Sequence, residues 1–455
     1  MDEDMGAAYL ASFPDWERGT ATNDETRTLD RMRRLLDLLD SPDGAYPVVH
    51  VVGTKGKGST ATTIAAALQA AGCRVGLFTS PHLLDARERI QVDGAAMTIE
   101  DRDAVVAERL RPTVEALREA GEKTPLHFEV EFALALEHFR RRAVDVAVVE
   151  AGMGGRLDAT NAVDAVILTV VTSIGLDHVA VLGDTIAKIA AEKAAVIRRA
   201  GRVVSAPQAP EALDVIENVR VAREAILTLV GRDYLVADVE QRPGKTAFTL
   251  HGPGACIRRF TVGLAGGHQA VNAAVAVAAL DALKQSFPRL DDGAIAVGLE
   301  KVRLSGRLQE AGHDPLIVLD GAHNGPSALA LAAAWPAVYP DTRPVLVLAV
   351  FADKDLATML PPLLHLAGHV IATTVAQPRA LPSAALAARA RALSPHPNKG
   401  IEESDSVAAA LSRARALAGA RGTILVTGSF RTVGDALSIL QDEQPAAVER
   451  TDAHV

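Results

Sequence analysis

The chain has 455 residues, of which 49% are hydrophobic and 23% charged, and its formal net charge is −9. This length exceeds a comfortable single core, so we expect a globular protein of two domains. The negative charge argues against a broad nucleic-acid surface, and no apolar run approaches the ~18 residues that a membrane span needs, so we expect neither nucleic acid nor a membrane as a partner.

The N-terminus and the cysteines indicate a reducing compartment. Residues 1–6 are acidic and lack the basic start and apolar core of a signal peptide. Cys73 and Cys256 are too few for a disulfide framework, and neither has the spacing of a metal ligand. We therefore expect buried thiols in a cytoplasmic protein.

The first strongly patterned stretch predicts a phosphate-binding loop. Residues 48–52 are mostly β-branched and predict a strand, residues 53–60 (Gly-Thr-Lys-Gly-Lys-Gly-Ser-Thr) form a glycine-rich turn, and a helix follows as far as Gly72. The backbone N–H groups of such a turn converge on an anion. Lys57 at its apex is then a phosphate ligand rather than a solvated surface lysine.

Apolar runs and helical periodicity alternate along the next part of the chain, which predicts an α/β fold with a mainly parallel sheet. The expected strands are 74–79, 144–150 and 165–170, and the expected helices are 101–120, 129–142 and 185–199. Glu150 ends the second of these strands, at the mouth of the crevice in which α/β proteins bind ligands. The glycine-rich turn 152–155 behind it would let another molecule approach the backbone closely.

Beyond residue 203 the pattern weakens, and short antiparallel strands are expected at 233–240, 245–251 and 257–262, before an Ala-rich helix at 269–284. Gly306, Gly312 and Pro315 then interrupt the periodicity. We therefore divide the chain into an N-terminal domain with the phosphate-binding loop, residues 1–308, and a Rossmann-like domain, residues 309–455.

The second domain is expected to repeat βα units on a smaller scale. Its expected strands are 316–320, 345–350, 370–374 and 424–427, and its helices start near Ser327, Leu356, Ser383 and Ser406. No Gly-x-Gly-x-x-Gly turn follows its first strand, which argues against a dinucleotide site there. The polar tail from Gln441 is expected to fray.

The loop at 53–59 resembles that of the folylpolyglutamate and dihydrofolate synthases, in the superfamily of the muramyl peptide ligases. Ten further motifs follow in the order of that family, at 78–83, 87–94, 150–161, 174–178, 192–194, 267–272, 305–309, 319–324, 353–355 and 428–430. The resemblance covers nearly the whole chain from residue 29 onward. It implies an N-terminal P-loop ATPase domain, a smaller Rossmann-like C-terminal domain and an active site in the cleft between them.

The resemblance also implies an ATP site that both domains share. Its residues would be Gly53, Thr54, Gly56, Lys57, Gly58, Ser59 and Thr60 from the loop, with Asn272, Arg307, Asp320 and His323 from beyond it. Ser59 and Thr60 would also cap the helix that follows. Asn272 has a purely structural alternative, a bond to neighbouring backbone. Arg307 lies at the domain boundary, where closure of the cleft would bring its guanidinium onto phosphate.

The same resemblance implies two Mg²⁺ ions held by Ser80, Glu150 and His178, and a catalytic set formed by Lys57, Glu150, His178 and Lys193. Hard cations prefer carboxylate and hydroxyl oxygens. Lys193 would be carbamylated, which turns a cation into an anion beside the metal; without the resemblance it is an ordinary helix-surface lysine. His82 receives no role.

Two segments resemble the family's pterin pocket: Leu126-His127-Phe128-Glu129 and Arg156-Leu157-Asp158. Phe128 would stack on a flat heterocycle, although an aromatic residue at a helix start is more often core, and Asp158 would accept hydrogen bonds from the ring. The sequence departs from the family at residues 29–33, which lack a glycine, at Lys55, where many bacterial members carry asparagine, and at residues 194–195. These departures concern the substrate more than the use of ATP.

The predicted activity is an ATP-dependent amide ligation. ATP would phosphorylate a carboxylate, and the α-amine of L-glutamate would attack the acyl phosphate, while Lys57 and Mg²⁺ offset the phosphoryl charge. The carboxylate substrate would be a folate, dihydropteroate or both, and the protein is expected to be a monomer. Two alternatives stay open: a ligase of the same fold with a different carboxylate and amino acid, and a nucleotide-gated binding protein.

Overall fold

The computed structural model describes residues 5–15, 28–396 and 400–443. Within these ranges the strands form three sheets, of eight, three and six strands. No helix in this part of the chain is long and apolar enough to cross a membrane.

The eight-stranded sheet organises the N-terminal half. Its strands are β1 (Val48–Val52), β2 (Val75–Phe78), β3 (Ile90–Val92), β4 (Ala95–Ala96), β5 (Val146–Glu150), β6 (Val166–Val171), β7 (Arg202–Ser205) and β8 (Ile226–Leu229). They lie in the order β4-β3-β2-β5-β1-β6-β7-β8, and the six from β2 to β8 in that order are parallel. The register pairs Val51 with Glu150, so the loop after β1 and the carboxylate of β5 emerge at the same edge.

Helices cover both faces of this sheet. They are α1 (Met5–Ala11), α2 (Asp30–Leu38), α3 (Lys57–Ala70), α4 (Ile99–Val105), α5 (Arg111–Glu119), α6 (His127–Arg141), α7 (Val179–Leu182), α8 (Ile186–Ala194), α9 (Pro210–Ala222), α10 (Gly267–Leu283) and α11 (Asp292–Lys301). A π-helical turn joins α4 to α5 within the helix expected at 101–120. Val49 and Val51 pack in the core formed with α3, α10 and α11, whereas Val48 packs in the core formed with α2 and α6. Because both faces are covered, all of β1 is buried and its sequence is a continuous apolar run apart from His50.

The small second sheet is antiparallel and packs on α10 and α11. It contains β9 (Leu235–Arg242), β10 (Lys245–His251) and β11 (Ile257–Val262) in the order β11-β10-β9. These are the three short strands expected from the sequence, the first displaced by two residues.

The third sheet organises the C-terminal part. Its strands are β12 (Gln309–His313), β13 (Leu316–Leu319), β14 (Val345–Leu348), β15 (His369–Ala372), β16 (Ile401–Glu403) and β17 (Thr423–Thr427), in the order β12-β13-β17-β14-β15-β16. The strands are parallel except for β12. Its helices are α12 (Gly325–Val338), α13 (Leu356–Leu366), α14 (Ser383–Leu393), α15 (Val407–Ala418) and α16 (Phe430–Asp442).

The α/β prediction, with a large mainly parallel sheet followed by a smaller C-terminal sheet, is confirmed. The division between residues 308 and 309 stays a prediction, although β12 begins at Gln309. The helix expected at 185–199 was wrong in length. It ends at Ala194, because Val196 and Ile197 turn into a buried cluster and Ala200 adopts a left-handed φ of 50° before β7. Six short strands, β3, β4, β7, β8, β12 and β16, were not predicted. Most of the tail expected to fray lies outside the described residues.

Candidate functional site

The glycine-rich loop after β1 is folded tightly against two other segments. Gly53 and Gly56 have φ values of 149° and 87°, which side chains rarely adopt. A Cβ atom on Gly53 would collide with Thr172, and one on Gly56 would collide with Asn272. Gly56, Lys57 and Gly58 remain half-buried at the loop surface. The glycines therefore allow close packing below the loop while its apex stays accessible.

Backbone contacts fix the loop to the segment after β6. The N–H groups of Thr54 and Lys55 donate to Ser173 O at 2.9 and 3.1 Å. Thr54 Oγ1 donates to Gly175 O at 3.1 Å and accepts from Gly175 N at 3.2 Å. Both polar groups of Thr54 are thus engaged in holding the loop.

The first turn of α3 carries the two predicted hydroxyl residues. Ser59 and Thr60 are buried, with 4% and 0% of their surface exposed. Thr60 N donates to Gly56 O at 2.9 Å. Its Oγ1 atom finds no hydrogen-bond partner among the described residues. A buried hydroxyl with unused hydrogen-bonding capacity costs free energy unless a ligand or water completes it.

Lys57 and Glu150 meet at the end of the parallel strands. Lys57 Nζ lies 3.8 Å from Glu150 Oε1. Glu150 is only 3% exposed, and its Oε2 atom accepts from Ser80 N at 3.1 Å. Burial raises the pKa of Glu150, and the charge of Lys57 opposes that effect. Ser80 is half-buried beside the carboxylate, so two hard oxygen donors lie together here.

Lys193 is a buried lysine, not a surface one. Only 4% of it is exposed, and its Nζ atom donates to Gly53 O at 2.8 Å and to Gly154 O at 3.4 Å. It therefore lies between the phosphate loop and the turn after β5. Burial, reinforced by the nearby charge of Lys57, lowers the pKa of Lys193 to about 7.

Asp177 and His178 lie on the segment that anchors the loop. Lys55 Nζ lies 2.9 Å from Asp177 Oδ2. Burial raises the pKa of Asp177, but Lys55 and His178 outweigh it and lower the value to about 2. His178 has a left-handed φ of 49°, and 53% of its side chain is exposed. The predicted metal ligand His178 is thus within reach of solvent beside a carboxylate that the sequence did not single out.

Arg307, Asp320 and His323 lie together around the start of the C-terminal sheet. The Arg307 guanidinium lies 4.6 Å from the centre of the Phe430 ring, and the imidazole of His323 lies 5.5 Å from it. Asp320 accepts from Leu308 N at 3.0 Å and from Ala322 N at 2.9 Å.

Electrostatics link these residues to the N-terminal domain. Burial is the largest influence on Arg307, whose pKa is lowered, and both Asp320 and Glu150 oppose that shift. Burial and then Lys55 lower the pKa of His323 to about 4.

Asn272 projects from α10 onto the phosphate loop. Its Oδ1 atom faces Gly56, and its Nδ2 atom donates to Gln269 Oε1 at 3.0 Å. The bond goes to a side chain one helical turn away, not to neighbouring backbone. Asn272 is therefore a half-buried polar group at the loop apex, as a nucleotide contact would require.

Of the predicted pterin segments, 126–129 serves mainly as structure. Glu129 is bound by both Nε and Nη2 of Arg31 at 2.7 Å and also accepts from Leu126 N at 2.8 Å. His127 Nδ1 lies 2.8 Å from Leu10 O. Phe128 is half-buried, 5.7 Å from the ring of Phe78, and a Cβ on Gly152 would lie 2.8 Å from its Cζ atom. Phe128 alone of these four faces the glycine turn.

The second segment, 156–158, divides in the same way. Arg156 is exposed and pairs with Glu192 at 2.9 Å, and Leu157 is half-buried. Asp158 is 6% exposed, and its carboxylate accepts from Met153 N at 2.8 Å and from Thr160 N at 3.1 Å. The structure therefore gives the carboxylate donors from its own loop, where the sequence had assigned it to a pterin ring.

Several cleft residues were not singled out from the sequence. Lys354 acts electrostatically on Lys55, His178 and His323, although Asp353 pairs with it at 2.9 Å. Arg89 is 5% exposed and donates to Glu131 at 2.7 Å. The signals were present, since Lys354, Phe430 and Arg89 all lie in the motifs at 353–355, 428–430 and 87–94.

The residues of the cleft fit Mg²⁺ in donor type, although they do not form a closed cage. Ser80 and Glu150 supply hydroxyl and carboxylate oxygens. Within residues 5–15, 28–396 and 400–443, no three His, Cys, Asp or Glu side chains converge on one point. Mg²⁺ commonly uses one or two carboxylates together with phosphate and water oxygens, so this donor set is sufficient.

Comparisons with known proteins give matches over most of the chain. The Mur ligase middle-domain family matches residues 51–280, and the Mur ligase glutamate ligase domain matches residues 306–430. The dihydrofolate synthase/folylpolyglutamate synthase of Bacillus subtilis is 36% identical over 334 residues, which are 73% of this chain and 77% of the relative.

Solved structures give the same result. A folylpolyglutamate synthase of Mycobacterium tuberculosis complexed with ADP is 33% identical and superposes with a TM-score of 0.86 over 96% of this chain and 99% of the other. An FPGS complex with AMPPCP and folate is 29% identical, with a TM-score of 0.82 over 97% of this chain and 100% of the other.

Proposed function

Since the chain belongs to the folylpolyglutamate and dihydrofolate synthase family of the Mur ligases and is thus an ATP-dependent glutamate ligase, we propose that the cleft at the ends of β1, β5 and β13 activates the carboxylate of a folate. The observation that carries the proposal is the convergence of Lys57, Glu150 and Lys193 at one edge of the parallel sheet. A phosphate-side cation, a buried carboxylate and an amine of lowered pKa are more than nucleotide sensing needs.

On the phosphate side, the N–H groups at the start of α3 and the ammonium of Lys57 bind the β- and γ-phosphates of ATP. The Thr60 hydroxyl, which lacks a partner in the described part of the chain, contributes at the helix start. Asn272, whose Oδ1 atom faces Gly56, contacts the nucleotide at the apex of the loop. Arg307 and Asp320 contact the nucleotide from the side opposite the loop, because the charge of Glu150 reaches Arg307 and Asp320 interacts with Arg307.

The acyl side lies between Glu150 and the turn 152–155. The carboxylate oxygen of the folate attacks the γ-phosphorus, and ADP leaves. The α-amine of L-glutamate then attacks the acyl carbon, the phosphate leaves with the former carboxylate oxygen, and the amine loses one proton. Lys57 offsets the negative charge that builds on the transferring phosphoryl group. Its ammonium is already in place beside that group, so it does not have to reorganise during the reaction.

We propose Mg²⁺ as the metal, held by Ser80, Glu150, His178 and the carbamate of Lys193. When bound, it supplies a Lewis acid for the phosphoryl oxygens. Carbamylation adds CO₂ to a neutral amine and releases one proton. Burial favours that neutral amine at physiological pH, because it lowers the pKa of Lys193 to about 7.

The folate ring is proposed to contact Phe128 and the turn 152–155. Phe128 is half-buried and abuts Gly152, so an aromatic ring lies beside the turn, where it would contact a planar ligand. Arg156 and Leu157 lie at the outer end of the same turn. The monomeric state and the cytoplasmic location expected from the sequence stay predictions.

An ADP-release assay tests the proposal. Tetrahydrofolate, its diglutamate, dihydropteroate and benzoate are each offered with ATP, Mg²⁺ and L-glutamate, and each is repeated without glutamate. ADP release should require both glutamate and one of the three pterin compounds. ADP release without glutamate and without a pterin compound would favour a nucleotide-gated binding protein. ADP release with benzoate but with none of the pterin compounds would favour a ligase that acts on a different carboxylate.

A further inference from the structure

His50 is a polar residue at the centre of the buried strand β1. It is fully buried, between Val49 and Val51. Because side chains alternate along a strand, His50 faces away from α3 and α10 and towards the residues that follow β5. Its Nε2 atom lies 2.9 Å from Thr160 Oγ1, 110 residues further along the chain. Its Nδ1 atom finds no partner among the described residues.

Hydrogen-bond donors and acceptors determine the tautomer of His50. The single hydroxyl proton of Thr160 is donated to Asp158 Oδ1. His50 must therefore donate from Nε2–H, and Nδ1 carries only a lone pair. Burial, with the charge of Arg198, lowers the pKa of His50 to about 3, so the ring stays neutral. An unpaired acceptor costs less free energy in a buried position than an unpaired N–H group does.

Asp158 collects the donors of the turn that follows β5. Its Oδ2 atom accepts from Met153 N at 2.8 Å, and its Oδ1 atom accepts from both the N–H and the hydroxyl of Thr160. Asp158 N in turn donates to Gly155 O at 3.1 Å. One buried carboxylate therefore fixes the turn 152–155 from within, and His50 holds the hydroxyl that fixes the carboxylate.

The turn lies between two parts of the site. Gly152 abuts Phe128, and Gly154 O accepts from Lys193 Nζ at 3.4 Å. Gly155 packs against the backbone of Glu192 and Lys193, where a Cβ would lie 2.7 Å from Glu192 O. A displacement of this turn would therefore move the surface beside Phe128 and the carbonyl that Lys193 contacts.

We propose that His50 and Thr160 are positioning residues for the acyl-acceptor side of the site. Together with Asp158 they form a buried relay, His50–Thr160–Asp158, that sets the position of the turn 152–155. The proposal rests on the proposed function of this cleft, and it concerns the folate side alone. The phosphate loop has its own anchors at residues 173–175, on the other side of β1.

Paired substitutions test the relay. His50→Leu removes the donor at similar volume, whereas His50→Gln retains an N–H near the position of Nε2. Thr160→Val removes the hydroxyl, whereas Thr160→Ser retains it. Michaelis constants for tetrahydrofolate, dihydropteroate and ATP are measured with each variant, and thermal unfolding shows which variants are folded.

The expected result has three parts. The Michaelis constant for the pterin substrate rises roughly five- to fiftyfold in Thr160→Val and less in His50→Leu, because each removes a buried hydrogen bond. The constant for ATP changes less than about twofold. The double variant His50→Leu/Thr160→Val is no worse than Thr160→Val, because His50 acts through Thr160.

Three results would overturn the proposal. They are equal shifts for ATP and the pterin substrate, additive effects in the double variant, and a His50→Gln variant as impaired as His50→Leu. If His50→Leu does not fold, the Thr160→Val and Thr160→Ser pair decides the question alone. The parent protein's own folate-dependent ADP release tests the function separately, so a failure of the relay and a failure of the function remain distinguishable.

Discussion

Two glycine-rich segments leave adjacent parallel strands at the same edge of the large sheet, and they are held in place by different means. The loop 53–58 after β1 is fixed by backbone N–H groups that donate to Ser173 and by the hydroxyl of Thr54. The turn 152–155 after β5 depends mainly on buried side chains, since the carboxylate of Asp158 accepts from Met153 and Thr160 and the ammonium of Lys193 donates to Gly154 O. Backbone contacts tolerate the loss of a side chain, whereas a carboxylate holding several donors does not, so the two sides of the site should differ in their sensitivity to mutation.

The largest effect is expected at the apex of the loop. Lys57→Ala should lower the rate of ADP release by about 100- to 1,000-fold, as does the loss of one group that stabilises transition-state charge. The fold should remain, because Lys57 is half-buried and Glu150, whose pKa burial already raises, can take a proton. Lys188→Ala, which removes an exposed lysine paired with Asp184, is the matched control. Near-normal turnover of Lys57→Ala at saturating ATP would contradict the phosphate-loop assignment.

Lys193 connects the loop to the turn, and its loss should affect both. Lys193→Ala should lose most activity, about 100-fold, because the oxygens attributed to its carbamate disappear. Millimolar acetate or formate should restore part of it by supplying those oxygens. Lys193→Arg keeps a cation but cannot be carbamylated, so it should stay inactive and unresponsive. A high-resolution map of the ATP- and Mg²⁺-bound protein with a bare ammonium at Lys193 would contradict the carbamylation of this residue.

A smaller but selective effect is expected at the turn. Asp158→Asn keeps the shape of the side chain but turns an N–H₂ group towards the donors of Met153 and Thr160. An unsatisfied buried donor costs about 1–3 kcal/mol, roughly 5- to 150-fold in apparent affinity. The Michaelis constant for the pterin substrate should rise by that factor, and the constant for ATP should change little. Steady-state kinetics with each substrate varied in turn measures both Michaelis constants. Equal increases in the two constants would contradict this prediction.

The smallest effect is expected at the backbone-anchored loop. Thr54→Val removes a hydroxyl that bonds Gly175, but the N–H groups of Thr54 and Lys55 still donate to Ser173. The net loss should be about 1 kcal/mol, hence about fivefold in the Michaelis constant for ATP. A loss at Thr54 as large as that at Asp158 would mean that the two segments are not held differently.

The sequence predicted the loop better than the turn, for a physical reason. A glycine-rich loop between a strand and a helix is a local pattern, so Lys57 and its neighbours could be assigned directly. The role of Asp158 depends on Thr160 and on His50, which lies 110 residues away from that threonine. Arg31 likewise pairs with Glu129 across 98 residues. Long-range pairing of this kind leaves no periodicity in the sequence.

The same limit explains the errors in the fold. The helix ending at Ala194 was extended to 199 because its periodicity continues, while the tertiary packing of Val196 and Ile197 ends it. The missed strands β3, β4, β7, β8, β12 and β16 are two to five residues long, and all of them except β7 have at most two buried residues, so no continuous apolar run marks them. The strands β1 and β5 are buried along their whole length, and they were placed within two residues.

The transfer of oxygen tests the central claim, that this cleft activates a folate carboxylate for attack by glutamate. Tetrahydrofolate or dihydropteroate labelled with ¹⁸O in the carboxyl group that reacts is incubated with the protein, ATP, Mg²⁺ and L-glutamate, and the released phosphate is analysed by mass spectrometry. The account predicts one ¹⁸O atom in each phosphate formed with product, because the acyl phosphate breaks between carbon and the former carboxylate oxygen. Product formation with unlabelled phosphate would contradict it.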